Sequence, residues 1–479
     1  MDKIRTKIVA TLGPATDSEE AIGRLIDAGV DVFRLNFSHG TLEQHGRTLQ
    51  RVRLACRDRD SMAAVMGDLC GPKIRVDPLD DDAFDIAPGD RIEIAAGHLV
   101  GNAERISTNR PELVGEVEIG HRILIDDGLI RLRVVEKRKD ALACVCEAGG
   151  TVQTRKGLNL PDSDLTMSAM TAKDREDLAW ALEHGLDYIA ISFVRSAADL
   201  QELSGLMPLG GAGCPIVAKI ETVQAIAHLD EIIEAADVIL VARGDLGVEM
   251  DLAEVPLLQK KIVSLCQRAG KPVIIATQML QSMVDASTAT RAEVSDVANA
   301  ILDSGDCVML SAETSVGSYP VESVRMMCRI AEKTEVYLGT QDLAARVDLT
   351  RTLRRVTTAV AHGANLLARE LGAKLVAVWT QTGNTARLLS KTRLNVPVVG
   401  LSPDQAICRR MSMYYGVIPL QMTWQQDDAA MLRALDDLLI ERNLVKPGDL
   451  IVAIAGTRLE REGATNSLLM HLVGAPPDE

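Results

Sequence analysis

Two carboxylates in this 479-residue chain lie where they could hold a divalent cation. Glu221 directly follows the largely apolar run 216–220, and Asp245 lies three residues after the apolar run 238–242. Carboxylate oxygens are ligands that Mg²⁺ prefers, and the missing side chain of Gly244 lets a ligand approach Asp245. The pair therefore predicts one Mg²⁺ ion, with positions left open for substrate oxygens.

Three cations and one hydroxyl group lie in comparable places after apolar runs. Arg34, Lys219 and Arg243 would supply fixed positive charge around the metal, as the transfer of a phosphoryl group requires. Thr277 offers a hydroxyl group that is able to relay a proton. Cations together with one metal ion predict an anionic, phosphorylated substrate.

Each of these side chains also has a purely structural interpretation. Lys219 could be a salt-bridge partner inside a barrel, and Arg34 could brace the fold. Ordinary loop caps are the alternative role for three further polar residues, Asn36, Ser38 and Asp68. Residue type alone leaves these alternatives open.

The elements that must position these residues follow one repeating pattern. Runs rich in Val, Ile and Ala, each followed by helical periodicity, begin near Arg5, Asp31, Met62, Asp187, Cys214, Asp237, Lys271 and Cys307. Six of the seven spacings lie between 23 and 36 residues and fit one strand–helix unit each. Eight such units predict an α/β fold, a (β/α)₈ TIM barrel, whose functional residues gather at the carboxyl ends of the strands.

The remaining spacing, 125 residues between the third and fourth strands, predicts an inserted domain at about 71–167 because it is too long for a loop. Within it, 122–135 is typical of a β-hairpin with Asp127-Gly128 at the turn, and 141–146 and 151–154 resemble further strands. We expect a small β-barrel. The chain returns to the large barrel at Thr171, where a capping box begins a helix.

The pattern changes again after Gly339. Helices and strands are expected to alternate at 352–371, 374–379, 384–393, 397–401, 427–442 and 449–455. This predicts an open α/β domain apart from the barrel. The expected division of the chain is therefore 1–70 and 168–345 for the large barrel, 71–167 for the insert and 346–479 for the C-terminal domain.

Composition excludes several classes of protein. The formal net charge is −15, and the sequence contains no run of Lys or Arg that could bind along the phosphate backbone of a nucleic acid. Nucleic acid is therefore not an expected partner. The longest apolar runs are the length of strands, and no membrane span is expected. The nine cysteines are scattered and do not have the spacing of a zinc site, which predicts a reduced, cytoplasmic enzyme.

Seven stretches resemble, in order, the motifs of the pyruvate kinase family, and the resemblance covers essentially the whole chain. They are Lys7–Thr16, Arg34–Gly40, Asp68–Arg75, Ile216–Glu221, Val241–Glu249, Ala276–Leu280 and Arg291–Ala300. The resemblance implies the reaction phosphoenolpyruvate + ADP → pyruvate + ATP. It also implies a barrel with an inserted lid domain and a C-terminal regulatory domain.

The resemblance assigns roles around the substrate. Lys219 would stabilise the phosphoryl group during transfer, with Arg34 on the same phosphate. The substrate carboxylate would be held by Thr277 and by the backbone of Gly244 and Asp245. Thr277 also lies where the enolate must be protonated, with a water molecule as the alternative proton donor.

The resemblance implies two cation sites. Glu221 and Asp245 would bind Mg²⁺, with Mn²⁺ as the alternative ion. A site for a monovalent cation would use the equivalents of Asn36, Ser38, Asp68 and the carbonyl of Leu69. Many potassium-dependent members carry Glu at the position of Lys73, and an ammonium group here could supply the charge that K⁺ otherwise brings. We therefore expect that K⁺ is not required.

The resemblance also implies which residues bind the nucleotide and what the insert does. Phosphates of ADP or ATP would be held by Asn36, Arg75 and Lys156, with a lesser part for His39. The insert would then be a mobile lid that closes over the barrel and excludes water, which otherwise competes as phosphoryl acceptor.

A second site is expected in the C-terminal domain. The loop 380–385 follows a strand and begins a helix, so that it could bind a phosphate. In the family this loop binds phosphorylated regulators, which implies an effector site formed by Thr380, Thr382, Gly383, Asn384 and Thr385. Asn384 replaces the Arg or Lys of several relatives, so a sugar monophosphate or a nucleotide is expected as activator. A plain helix start capped by Thr382 is the alternative. The family resemblance also implies a homotetramer.

Two other functions compete with this one. A Mg²⁺-dependent aldolase or lyase that acts through a pyruvate enolate would share the two carboxylates, but it would have no use for Arg75 and Lys156. A catalytically silent metabolite sensor could use the same scaffold. The presence of Lys219, Glu221 and Thr277 argues against the sensor.

Overall fold

Eight parallel strands close into a barrel, and each begins within two residues of its predicted start. They are Lys7–Thr11, Val32–Asn36, Ala64–Asp68, Tyr188–Ile191, Ile216–Ile220, Val238–Ala242, Val273–Ala276 and Cys307–Leu310, here called barrel strands one to eight. The computed structural model describes residues 4–166, 168–208, 213–340, 355–456 and 465–475. The predicted TIM barrel is confirmed.

Barrel strands are apolar along their whole length because both of their faces are buried. Ile8, Phe33 and Ile189 point outwards and pack on the surrounding helices. The residues that alternate with them along the strands, such as Val9 and Tyr188, point inwards and fill the barrel interior. This inner core continues into the C-terminal domain.

The main barrel helices are Glu19–Ala28, Leu42–Asp58, Ala172–Glu183, Ala197–Gly205, Leu229–Ala235, Val255–Ala269, Arg291–Leu302 and Pro320–Gly339. Shorter helices follow the strands at Val223–Ala227, Arg243–Glu249 and Ala312–Ser315, and single 3₁₀ turns lie at Pro14–Thr16 and Gln281–Val284. The predicted capping box is confirmed, since Thr171 and Asp174 cap each other. None of the helices in the described ranges has the length and apolar character needed to cross a membrane.

The insert between barrel strands three and four is a β-domain with its own core. Its strands are Ile74–Arg75, Ala83–Ile86, Arg91–Ala95, Arg105–Ser107, Arg122–Ile125, Ile130–Lys137, Ala141–Ala148, Gly150–Gln153 and Gly157–Asn159, with one short helix at Leu113–Glu116. Seven of the strands form one sheet, and an isolated bridge between Val76 and Thr108 joins its two edges. The bridge gives the sheet the barrel-like form that was expected.

The C-terminal domain has a five-stranded sheet. Its strands are Val376–Trp379, Val398–Ser402, Val417–Gln421, Leu450–Gly456 and Thr465–Leu472, and its helices are Arg355–Glu370, Asn384–Ser390, Gln405–Met411 and Asp428–Glu441. The predicted open α/β domain is confirmed. The antiparallel edge strand Thr465–Leu472 was not predicted, and the predicted helix start at 352–354 lies outside the described residues.

The C-terminal domain packs against the amino-terminal face of the barrel, where four aspartates repeat. Each precedes an even-numbered barrel strand and accepts a backbone N–H from the strand before it at 2.7–2.9 Å; the four are Asp31, Asp187, Asp237 and Asp306. Arg409 pairs with Asp187 at 2.8 Å, and the buried Lys391 pairs with Asp306. The opposite, carboxyl-terminal face is left for the insert and the candidate site.

Candidate active site

A network of charges lies at the carboxyl ends of barrel strands two, three and five. Lys219 Nζ is 2.9 Å from Glu221 Oε1 and 3.4 Å from Asp68 Oδ1. Asp68 Oδ2 accepts from Arg34 Nε at 2.7 Å. Because parallel strands present their carboxyl ends at one rim, residues almost 190 positions apart in sequence form one cluster.

Burial makes each charge in this network depend on its partners. Desolvation opposes the Lys219 ammonium, yet the carboxylates of Asp68 and Glu221 raise the pKa of Lys219 above its usual value. Desolvation would raise the pKa of Asp68, but Lys219 and Arg34 lower it overall. The lysine is therefore a permanently charged group with only 12% of its side chain exposed.

Ser192 and Phe193, which directly follow barrel strand four, complete the surroundings of Lys219 and Glu221. The sequence predicted no role for either residue. Ser192 Oγ accepts from Lys219 Nζ at 2.8 Å and donates to the Leu69 carbonyl at the same distance. Phe193 has a left-handed φ of 56° and its backbone N–H donates to Glu221 Oε2 at 2.8 Å. Both follow an apolar run, which is the signal that could have revealed them.

Barrel strands six and seven end in a strained turn that positions a hydroxyl group. Thr277 and Gln278 have φ values of 71° and 55°, a region that non-glycine residues rarely adopt. The Gly244 N–H donates to Thr277 Oγ1 at 2.7 Å, and that hydroxyl donates to the Ala276 carbonyl at 2.6 Å. The structure thus brings together Gly244 and Thr277, as the sequence predicted.

Arg243 does not join the cations of the site, in contrast to the prediction. Its guanidinium pairs with Asp296 at 2.7 Å and donates to the Thr277 carbonyl at 2.8 Å. The side chain turns away because an acidic partner and strand-end carbonyls satisfy its donors. Arg243 therefore supports the strained turn from behind.

The two predicted metal carboxylates form a donor pair of suitable chemistry. Burial, followed by the nearby Glu221 carboxylate, raises the pKa of Asp245 to about 6, against the opposing charges of Lys219 and Lys73. A divalent cation between two such carboxylates would relieve this repulsion. Within the described ranges no cluster of three or more metal-binding side chains exists, so substrate and water would supply the other ligands.

The turn after barrel strand two contains the remaining polar residues predicted there. The Asn36 side chain accepts from the Ser38 N–H at 3.2 Å, and both Ser38 and His39 are exposed. His45 contacts the His39 carbonyl at 2.9 Å, and Lys173 donates to the Phe37 carbonyl at 2.8 Å. The turn is thus held from outside, with its polar side chains near the rim.

Of the four predicted ligands for a monovalent cation, three have partners in the protein. Asp68 is paired with Arg34 and Lys219, and the Leu69 carbonyl accepts from Ser192. A third, Asn36, is engaged within its own turn.

Of the predicted nucleotide cations of the insert, Arg75 ends the strand Ile74–Arg75 and Lys156 directly precedes the neighbouring strand Gly157–Asn159. Arg75 pairs in register with Gly157 and donates to the Arg155 carbonyl at 2.9 Å. Lys156 pairs with Asp126 at 2.9 Å and keeps 37% of its side chain exposed. Both cations therefore retain access to solvent on the insert.

A cleft of about 70 Å³ separates the insert from the barrel. Charged and polar residues of both domains line it, among them Lys73, Asp127, Asn159, Asp245 and Glu249. Burial, opposed by a hydrogen bond from Asn159, raises the pKa of Glu249 to about 7. Lys73 thus faces the side of the site that carries Asp245.

The predicted effector loop lies in the C-terminal domain and takes no part in this cluster. The helix begins at Asn384 after Gly383, whose φ is 77°. Gly383 N–H donates to the hydroxyl of Thr380 at 3.0 Å, rather than to that of Thr382. Thr382 accepts from the Asn384 side chain, and Thr385 is bonded to Thr465 at 2.8 Å.

Fold and site together define a class of protein: a TIM barrel whose strand ends gather fixed cations and carboxylates, a set suited to a phosphorylated anion and a divalent metal ion. Comparison with known proteins makes the assignment specific. The family model "Pyruvate kinase, barrel domain" matches residues 3–324, and "Pyruvate kinase, alpha/beta domain" matches residues 358–471. The chain belongs to the pyruvate kinase family.

Relatives match along the whole chain. The pyruvate kinases of Geobacillus stearothermophilus and Mycobacterium tuberculosis are each 39% identical over 98% of this chain, covering 81% and 98% of the relatives. The crystal structure of a pyruvate kinase from Cryptosporidium parvum superposes with a TM-score of 0.90 at 33% identity, covering 98% of this chain and 96% of the other. The chain is therefore an enzyme that transfers the phosphoryl group of phosphoenolpyruvate to ADP in glycolysis.

Proposed function

We propose that the network around Lys219 is the centre of phosphoryl transfer. The observation that carries this proposal is the placement of a permanently charged lysine between Asp68 and Glu221, with Arg34 beside it. Arg34 and Lys219 bind the phosphate of phosphoenolpyruvate, and Lys219 stabilises the negative charge that moves with it. A cation that is already positioned needs no reorganisation during the reaction.

Glu221 and Asp245 are the proposed ligands of Mg²⁺, or of Mn²⁺ in its place. When bound, the metal supplies a Lewis acid that withdraws charge from the oxygens of the substrate. The Phe193 N–H holds one oxygen of Glu221 in place. The raised pKa of Asp245 supports this assignment, because a cation would relieve the repulsion between the buried Glu221 and the half-buried Asp245 carboxylates.

Thr277 is the proposed anchor of the substrate carboxylate, together with the backbone of Gly244 and Asp245. Its hydroxyl is held by Gly244 and Ala276 within hydrogen-bond distance of both. In this position it also relays a proton to the enolate, directly or through water. The strained backbone at Thr277 supports a functional role, since such strain persists only where surrounding contacts enforce it.

The insert is the proposed lid over this site. Arg75 and Lys156 bind the phosphates of ADP from above, while Asn36 and His39 approach them from the barrel rim. Closure brings donor and acceptor into line and excludes water from the phosphoryl group. The cleft between the insert and the barrel leaves room for this movement.

Lys73 is proposed to replace a required potassium ion. Its ammonium group acts on Asp245 and lies five residues after Asp68 in the sequence. A monovalent cation at Asn36, Ser38, Asp68 and Leu69 is then not needed, because fixed positive charge is already present.

Regulation and assembly complete the proposal. A sugar monophosphate or a nucleotide binds at loop 380–385 and activates the enzyme. The enzyme acts in the cytoplasm as a homotetramer. Within each chain, the domains meet at 70/71, 167/168 and 345/346. All nine cysteines are free thiols, in keeping with a reducing compartment. Light scattering that gave the mass of a single 51.7 kDa chain at assay concentrations would contradict the tetramer.

Product analysis separates this function from its alternatives. The enzyme is incubated with phosphoenolpyruvate and Mg²⁺, with and without ADP, and pyruvate and ATP are quantified. Equal amounts of both products, formed only with ADP, are expected. An enolate aldolase would consume pyruvate with an aldehyde and ignore ADP, and a silent sensor would form no product.

A further inference from the structure

One side-chain hydrogen bond joins the sheet of the insert to the barrel helix that carries Asp245. Asn159 Nδ2 donates to Glu249 Oε1 over 2.8 Å. Glu249 is only 6% exposed, and Asn159 is half-buried. Neither residue takes part in the chemistry proposed above, so their contact requires another explanation.

On the insert side, the bond holds the segment that carries the nucleotide cations. Asn159 is the last residue of the strand Gly157–Asn159, which directly follows Lys156. Gly157 pairs in register with Arg75 on the neighbouring strand. A rotation of this strand would therefore move both cations relative to the barrel.

On the barrel side, the bond holds the helix of the metal site. Glu249 is the last residue of the helix Arg243–Glu249, one turn after Asp245. The first turn of the same helix contains Gly244, which donates to Thr277. This helix is short and follows a barrel strand directly, so it provides a rigid reference for the insert.

We propose that Asn159 and Glu249 are positioning residues that fix the insert in the orientation in which Arg75 and Lys156 face the phosphoryl group. The inference rests on the proposed binding of the ADP phosphates by those two cations. A hydrogen bond between an amide and a carboxylate is directional and strengthens as closure excludes water. Loss of the bond lets the insert tilt into the neighbouring cleft, which moves Arg75 and Lys156 away from the ADP phosphates and weakens the binding of ADP in particular.

The test is a double-mutant cycle with the full-length enzyme. N159A, E249A and the double variant are assayed with ADP and phosphoenolpyruvate varied separately. Each single variant is expected to lower kcat/KM for ADP about tenfold, with the double variant no worse than either. The KM for phosphoenolpyruvate should stay near that of the wild type, and E249Q should retain activity because its amide oxygen accepts the same hydrogen bond.

Three controls distinguish positioning from a general loss of structure. In the first control, Q224A removes a different hydrogen bond between the barrel and the chain that returns from the insert, which Gln224 donates to the Ser163 carbonyl at 3.0 Å. This variant should leave the ratio of kcat/KM for ADP to kcat/KM for phosphoenolpyruvate unchanged. Thermal unfolding tests the stability of every variant. Hydrogen exchange of residues 157–159 should accelerate in N159A, as expected for a strand released from the barrel.

The inference is overturned by additive effects, by equal losses for both substrates, or by an E249Q variant as impaired as E249A. R75A and K156A test the underlying proposal in parallel. If they raise the KM for ADP while the Asn159 and Glu249 variants do not, only the positioning role fails. If they leave ADP unaffected, the proposed binding of its phosphates fails as well.

Discussion

At the scale of single residues, the proposed active site is built around a buried charge with fixed partners. Lys219 contacts Asp68, Glu221 and Ser192 within 3.4 Å, and these acceptors keep its ammonium group charged in spite of burial. The same contacts hold it still, because each one restricts the flexible side chain from a different direction. A positioned cation of this kind stabilises the transition state more than the substrate.

The side chain of Lys73 leads to a prediction about monovalent cations. We expect nearly the same rate in tetraalkylammonium chloride as in KCl at equal ionic strength, because Lys73 already supplies positive charge near Asp245. K73E should acquire a requirement for K⁺. A many-fold increase of the wild-type rate on addition of KCl would contradict this role.

Glu249 predicts a pH dependence of stability. Burial raises its pKa from 4.5 in the unfolded chain to about 7 in the folded protein, so the folded state binds this proton more tightly. The resulting stabilisation is complete below pH 4.5 and is lost as the pH rises through 7. It amounts to at most about 3 kcal/mol.

The measurement compares the wild type with E249Q, which cannot titrate at this position. The difference in unfolding temperature, wild type minus variant, should fall between pH 4.5 and pH 7. A difference that is constant across this range would show that the Glu249 carboxyl titrates normally.

At the scale of secondary-structure elements, the barrel could be predicted because parallel strands buried on both faces leave continuous apolar runs in the sequence. The candidate site rests on the same pattern, since Arg34, Lys219 and Asp245 interrupt or follow such runs. Contacts across elements left no such signal. The pairing of Asn159 with Glu249 spans 90 residues, and only the placement of the insert on the barrel creates it.

Two further elements show where sequence patterns fail. The edge strand Thr465–Leu472 has several exposed side chains, so it lacks the apolar run that revealed the other strands. Arg243 has the residue type of a phosphate ligand, but Asp296 on the helix Arg291–Leu302 competes successfully for it. The choice between ligand and ion-pair partner depends on distances that no local pattern encodes.

The loop before the helix Asn384–Ser390 provides the prediction for the regulatory site. Thr385 is buried and bonded to Thr465, so a carboxylate at this position would repel a phosphate and disturb the loop. T385E should therefore lose activation by every sugar monophosphate and nucleotide that activates the wild type. T385V, which keeps the shape, controls for packing, and unchanged activation of T385E would place the effector site elsewhere.

At the scale of the whole molecule, the two faces of the barrel have different roles. Its carboxyl-terminal face carries the proposed active site and the insert, while its amino-terminal face carries aspartates that pair with the C-terminal domain. The inner core of the barrel is continuous with one face of the C-terminal sheet. The proposed regulator at loop 380–385 would therefore have a packed, direct connection to the strands that position the candidate site.

The buried ion pair at this junction should dominate its stability. Lys391 is fully buried and pairs with Asp306, so K391M leaves a carboxylate that has lost its nearest cation. We expect a loss of about 3 kcal/mol in the free energy of unfolding. R442A, which removes an exposed ion pair between the same domains, should cost less than about 1 kcal/mol. Equal losses in calorimetry would contradict the proposed importance of burial.

The most direct test of the whole account is the assay of pyruvate formation by wild type and K219A in K⁺-free buffer with phosphoenolpyruvate, ADP and Mg²⁺. The wild type should turn over without K⁺, and the variant should lose about a thousandfold in kcat while it remains folded. Such a result would establish both the reaction and the role of Lys219. A variant within a few-fold of the wild type, or a wild type that stays inactive even with K⁺ and sugar phosphates, would contradict the account.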